Sequence, residues 1–157
     1  LVLSGAKPDA KKLEKYGVTG SGQTKDYNLL LNQLRVGDKL RFRVVLNPIA
    51  SLSQGKASGR RGRVIPLVTT DQQLDFLKQR AEKHGFSIND DEVKITGRSF
   101  EILKRKNQKP LKICKAAYEG FLTIEDLDLF KAVLVNGLGK KKAYGFGLLT
   151  VIPGSLQ

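Results

Sequence analysis

The sequence predicts an α+β fold built of two tandem ferredoxin-like (RRM-like) units, the first of them incomplete. Three observations predict it. From Val64 onward the local signals run strand, helix, strand, strand, helix, strand. That order lays two helices on one face of a four-stranded antiparallel sheet. Upstream stands a helix followed by a strand, half of a similar unit. Between the two lies the stretch from Ser51 to Arg63, SLSQGKASGRRGR, which has no periodic apolar pattern. Apolar periodicity is what buries a face, so this stretch reads as an exposed basic loop. The division is therefore 1–50 for the end of a first unit, 51–63 for the linker and 64–157 for the second unit.

In chain order, Leu1 to Ser4 starts apolar with no turn before it and reads as the end of a strand. Residues 5–25 are polar and rich in Gly, Lys and Thr, an exposed connection. Tyr27, Leu30, Leu31 and Leu34 fall at helical spacing and stop at Gly37. Lys39 to Leu46, KLRFRVVL, alternates and then turns continuously apolar, the pattern of a buried strand that Pro48 ends. Val64 to Val68 is a short strand around Pro66.

Asp71 to His84 is the clearest helix. Leu74, Leu77 and Ala81 form its stripe, Thr70 or Asp71 caps the start and Gly85 caps the end. Glu92–Lys104 and Leu111–Thr123 are strands joined by the polar turn RKNQKP. Glu125–Asn136 is a helix, with Thr123 and Asp126 at capping-box spacing, Phe130, Val133 and Leu134 as its apolar face and Gly137 at its end. Phe146 to Ile152 closes the order as a strand, and Tyr118 and Phe121 are expected in the core.

Composition narrows the function. The 157 residues are 40% hydrophobic and 27% charged, as in a globular protein. No apolar run approaches the roughly 18 residues that cross a bilayer, and no signal peptide opens the sequence, so no membrane association is expected. Cys114 is alone and has no internal disulfide partner, which points to a reducing, cytoplasmic setting. The sequence contains no methionine, so Leu1 is not a natural start and an upstream stretch is expected. Lys and Arg number 28 against 15 Asp and Glu, a net charge of +13. Such an excess only adds self-repulsion unless a polyanion offsets it. Nucleic acid leads the candidates, ahead of an anionic membrane surface or an acidic protein.

The segment Gly137–Gly147, GLGKKKAYGFG, sets three consecutive lysines among four glycines after a helix and before the last strand. Glycines let a backbone approach a phosphate closely and offer its N–H groups. Lys140, Lys141 and Lys142 add charge there, and Tyr144 offers a face for base stacking. A tight glycine turn with solvated lysines is the plainer alternative. The dinucleotide pattern G-x-G-x-x-G fails, because Lys142 stands where its third glycine belongs and the strand–helix order is reversed. No stretch fits a Walker A loop. KAYGFGLL partly resembles the RNP1 pattern, but RNP1 lies on a third strand with a helix and strand still to come.

A second basic cluster lies on the hairpin, where Lys104, Arg105, Lys106, Lys109, Lys112 and Lys115 follow one another with no acidic residue between them. It suits a duplex or stem backbone, or else an edge protected by lysines. Lys56, Arg60, Arg61 and Arg63 make a third cluster in the linker. His84, the single histidine, continues the Leu74–Ala81 stripe at a helix end, where structural use is favoured over catalysis. Cys114 is read as a small core residue. Scattered acidic residues lack metal-ligand spacing, so no metal site and no cofactor are expected.

LRFRVVLNPIA at 40–50, GRVIPL at 62–67, AEKHGF at 81–86, YEGFLTI at 118–124 and above all NGLGKKKAYGFGLLTV at 136–151 resemble, in this order, the CasE family. That family is the CRISPR repeat endoribonuclease subunit of Cascade. The resemblance covers essentially the whole sequence. It implies tandem ferredoxin-like domains and metal-independent cleavage of precursor CRISPR RNA, with a ribose 2′-OH attacking the adjacent phosphate. The implied partners are the repeat stem-loop and other Cascade subunits. It also implies a catalytic histidine on the first helix of the first domain, upstream of the matched segments, while His84 corresponds to the HGF element of the second domain. A basic hairpin residue, Lys112 or Lys109, is then expected to stabilise the cleaving phosphate. A basic RNA-binding protein without catalysis is the main alternative, and a scaffold subunit held by protein contacts is a third.

Overall fold

A computed structural model describes residues 3–20, 22–52, 62–105 and 108–153. The chain divides into two units, 1–34 and 35–157. In the first, Asp9 accepts the Lys11 N–H at 3.0 Å and so caps helix α1, Ala10–Leu13. A 3-10 turn at Glu14–Tyr16 and helix α2, Asn28–Gln33, follow. The strand expected at Leu1–Ser4 is not seen at Leu3 and Ser4. A strand exists only by pairing, and no other strand occurs among the described residues of this unit.

The second unit contains β1 (Lys39–Leu46), β2 (Ile49–Leu52), β3 (Arg63–Pro66), α3 (Thr70–Lys83), β4 (Phe86–Ser87), β5 (Val93–Arg105), β6 (Gln108–Ile124), α4 (Leu127–Asn136) and β7 (Thr150–Pro153). All pairings of its sheet are antiparallel. On one side β6 pairs with β1, from Lys39 opposite Thr123 to Leu46 opposite Ala116. On its other side β6 pairs with β4 and β5. β7 pairs with the outer side of β1.

This pairing sets β1 among strands that follow 51–63 in the chain. β1, grouped by sequence with residues 1–50, is an inner strand between β6 and β7. The alternation in KLRFRVVL marks a half-buried strand but carries no information about its partner. Conversely, Arg63–Pro66 does not open the sheet. It pairs only with Ile49–Leu52 in a separate two-stranded ribbon.

The even-numbered residues of β1 (Leu40, Phe42, Val44, Leu46) and of β6 (Tyr118, Leu122, Ile124) are buried together with the stripes of both helices. Each such side chain removed from water contributes roughly 1.5–3 kcal/mol. Phe76, Leu77 and Ala81 are the buried apolar residues of α3. Leu74 is only half-buried, so the stripe is rotated from the expected one. The α3 cap is Thr69, one residue before those expected, and it forms a full capping box with Gln72. Phe130, Val133 and Leu134 are buried as expected, and the Phe130 ring meets Phe86 edge-on at 5.7 Å. Asp126, not Thr123, caps α4 by accepting the Leu129 N–H at 2.9 Å, because Thr123 still belongs to β6. Tyr118 and Cys114 lie in the core, whereas Phe121 falls on the other face of β6 and is 36% exposed. β7 begins at Thr150, and Phe146 and Leu149 are buried ahead of it.

Candidate nucleic-acid interface

β1 ends at Leu46, opposite Ala116, yet β6 continues back to Gln108. The β5–β6 hairpin therefore runs on beyond that end of the sheet by eight residues, roughly 27 Å of strand. Lys104, Lys109 and Lys112 are exposed along it. The Lys112 ammonium lies 4.2 Å from the centre of the Phe100 ring, which carries the side chain without neutralising it. Arg105 pairs with Gln108 through its backbone. The run without acidic residues holds only along one strand. Pairing brings Glu101 across to Lys115, at 2.9 Å, so that charge is partly offset.

The glycine–lysine loop springs from the same end. Gly147 N–H donates to the Val45 carbonyl at 2.8 Å, and Leu138 N–H donates to the Gly147 carbonyl at 2.7 Å. These two bonds tie both ends of the loop together and to β1. Gly137, Gly139, Gly145 and Gly147 all have positive φ. Lys141, at φ 69°, is the one non-glycine residue with positive φ among the described residues. Such a conformation costs about 1–2 kcal/mol and is kept where surrounding structure dictates it. Lys142–Tyr144 forms a 3-10 turn, Lys140 and Lys142 are exposed, and the Lys141 ammonium sits 5.6 Å from the centre of the exposed Tyr144 ring.

The β2–β3 ribbon follows the same end of β1 and leaves Arg63 exposed. Lys56, Arg60, Arg61 and Lys106, and the side chain of Arg105, lie outside the described residues. Carboxylates gather toward the opposite end. Asp38 precedes β1, Glu125 and Asp126 follow β6, and Asp90 and Glu92 pair with Lys78 and Lys39. Cations thus crowd one end of the sheet.

The fold also assembles what local sequence did not show. His84 caps the C-terminus of α3 and is half-buried. Burial, and then the charges of Arg80, Lys142 and Lys83, hold its imidazole below the usual histidine range. Lys142 comes from the loop, so His84 borders the lysine cluster and not only the core. A folded-state value below the unfolded one means that stability is complete above about pH 6.5 and is lost as pH falls through the folded value. In thermal unfolding across that range, wild type is expected to lose midpoint temperature on acidification, and His84→Asn to lose less. Equal pH slopes would show that His84 does not feel these cations. Arg80 was equally invisible as a site residue, and no residue-type pattern would have singled it out. Its guanidinium lies 3.8 Å from the centre of the Phe76 ring, and its Nε is buried without a hydrogen-bond partner among the described residues. Among the described residues no cluster of His, Cys, Asp or Glu is arranged to hold a metal, and no helix is long and apolar enough to cross a membrane.

A family model described as CRISPR associated protein matches residues 1–153. The CRISPR-associated endoribonuclease Cse3 of Thermus thermophilus is 33% identical over 129 residues, covering 76% of this chain and 58% of the relative. The Cascade subunit CasE of Escherichia coli K12 is 29% identical over 126 residues, covering 77% and 61%. A solved structure of the CRISPR endoribonuclease Cse3 bound to a 19-nt RNA is similar with a TM-score of 0.67 and 32% identity, covering 76% of this chain and 58% of that one. The chain spans about three-fifths of the length of the curated relatives it matches. With its lysine loop, its basic hairpin and a match over nearly its whole length, the chain belongs to the CRISPR-associated protein family that includes Cse3 and CasE.

Proposed function

We propose that this chain is the RNA-recognising part of an endoribonuclease that processes CRISPR RNA, holds the repeat stem-loop and joins Cascade. The observation that carries this reading is the projection of hairpin and glycine–lysine loop from one end of the sheet. A polyanion meets both clusters at once there, and a product held by many phosphate contacts leaves slowly. That the similar Cse3 structure contains RNA, and that CasE is a Cascade subunit, supports the reading.

The strand order β7, β1, β6, β5, with α3 and α4 as crossovers, supports reading this sheet as a ferredoxin-like unit. On this reading residues 35–157 are one such unit and residues 1–34 belong to its tandem neighbour. Cleavage proceeds without metal. The ribose 2′-oxygen loses its proton, bonds to the adjacent phosphorus and displaces the 5′-oxygen, which takes up a proton. A 2′,3′-cyclic phosphate and a 5′-hydroxyl result. In this scheme Lys112, exposed on the hairpin and without an ion pair among the described residues, stabilises the charge that develops on the phosphate. Lys104, Arg105, Lys106, Lys109, Lys140, Lys141, Lys142 and the linker cations Lys56, Arg60, Arg61 and Arg63 bind the backbone, and Tyr144 stacks on a base. Proton transfer is assigned to no residue of this chain.

The test is binding of a labelled repeat stem-loop in EDTA, with a 2′-deoxy nucleotide at the scissile position as control. Affinity is expected to fall about 10³-fold or more between roughly 50 and 200 mM salt. Any cleavage is expected to resist EDTA and to stop with the deoxy substrate, while binding persists. Salt-independent association would instead favour a scaffold held by protein contacts, and absence of binding would overturn the RNA reading.

A further inference from the structure

We propose that the cleft between α3 and the β2–β3 ribbon is a pocket for a single unpaired RNA base, stacked on Arg80. This rests on the RNA reading above and adds a base-recognition site to its phosphate contacts. The cleft has a volume of about 330 Å³ and is lined by Ile49, Ala50, Leu67, Asp75, Phe76 and Arg80 among others. Phe76 is buried, and its ring supports one face of the Arg80 guanidinium at 3.8 Å. Arg80 also lines the cleft, and arginine held in this way can stack on an unstacked RNA base.

Arg80 is costly as a purely structural residue. Among the described residues it forms no ion pair and its Nε has no hydrogen-bond acceptor, and burial disfavours its charge. A base stacked on the guanidinium leaves the buried Nε as it is but adds a cation–π contact that offsets part of this cost. The walls say which ligand. Isoleucine, alanine and leucine suit a flat apolar body, and the Asp75 carboxylate repels a phosphate but accepts from a base N–H. The lysine loop also approaches Arg80, since a Cβ on Gly139 would lie 3.8 Å from the Arg80 Nε. A strand whose phosphates rest on the loop can therefore turn one base toward Arg80.

The experiment is an abasic scan of the unpaired nucleotides of a repeat stem-loop, with affinities measured on the whole chain. One abasic position is expected to weaken binding about tenfold. With Arg80→Lys, which keeps the charge and removes the plane, that penalty is expected to vanish while the salt slope is unchanged. The proposal is overturned if no abasic position matters, or if Arg80→Lys leaves the penalty intact. A duplex without unpaired nucleotides separates the two claims. Equal binding of the duplex by wild type and Arg80→Lys, with no abasic effect, sinks the pocket and leaves RNA binding standing. No binding of any RNA sinks both. If Arg80→Lys melts early, Asp75→Asn serves instead, with preference for bases carrying an N–H edge expected to decline, and unchanged preference counting against the pocket.

Discussion

Alanine at Gly147 is expected to destabilise the second unit by about 3 kcal/mol or more and to abolish tight RNA binding with it. Two costs add at this position. Its φ of +84° is the left-handed region, which a Cβ disfavours by about 1–2 kcal/mol. That Cβ would also lie 2.3 Å from the Leu138 carbonyl oxygen and 3.3 Å from the Leu138 nitrogen. Both are backbone atoms, and Leu138 is itself buried. Relief requires breaking the bonds by which Gly147 holds Leu138 and Val45, and these anchor the lysines to β1. Gly145 is the matched control. Its φ of +81° is almost the same, but a Cβ there meets nothing within 4 Å. Gly145→Ala is therefore expected to cost only the conformational strain, about 1–2 kcal/mol. Denaturant unfolding of both variants, followed by RNA binding, checks this. Equal costs would mean that the loop slides freely and that its two backbone ties do not position the lysines.

Removing Lys140, Lys141 and Lys142 together is expected to lower the slope of log affinity against log salt by roughly 2 to 3, at about 0.9 per phosphate contact. Lys104, Lys109 and Lys112 replaced by alanine should give a loss of similar size. Because both groups stand at one end of the sheet, the two triple variants are expected to add in free energy, bringing binding close to the nonspecific level. Lys78, paired with Asp90 at 2.6 Å, supplies the control. Lys78→Ala removes the same kind of charge toward the other end and is expected to change the slope by less than one contact. If Lys78→Ala matched one third of a triple variant, binding would follow net charge alone, and the proposed RNA path would be wrong.

Much of this was legible locally. The α3 and α4 helices could be read from apolar spacing and from expected N-caps within one to three positions of the real ones. The β5–β6 hairpin followed from two apolar strands around a polar turn, and both basic clusters announced themselves by density. These are signals that a dozen neighbouring residues generate among themselves, so they survive without knowledge of the rest of the chain.

What tertiary structure decided was pairing. KLRFRVVL says that β1 is half-buried, but only the sheet makes β6 and β7 its neighbours. Phe121, expected in the core with Tyr118, emerged on the opposite face, as two strand residues an odd number apart must. Glu101 reaches Lys115 across a strand pair, Lys142 crowds His84 from a separate loop, and Arg80 settles on Phe76 beside Gly139. The sequence by itself determined the charge, the periodicities and the glycines that permit the loop. Which cations share a surface, and which side chain is left without a partner, were settled only by folding, because both depend on contacts between residues far apart in the chain that local pattern does not encode.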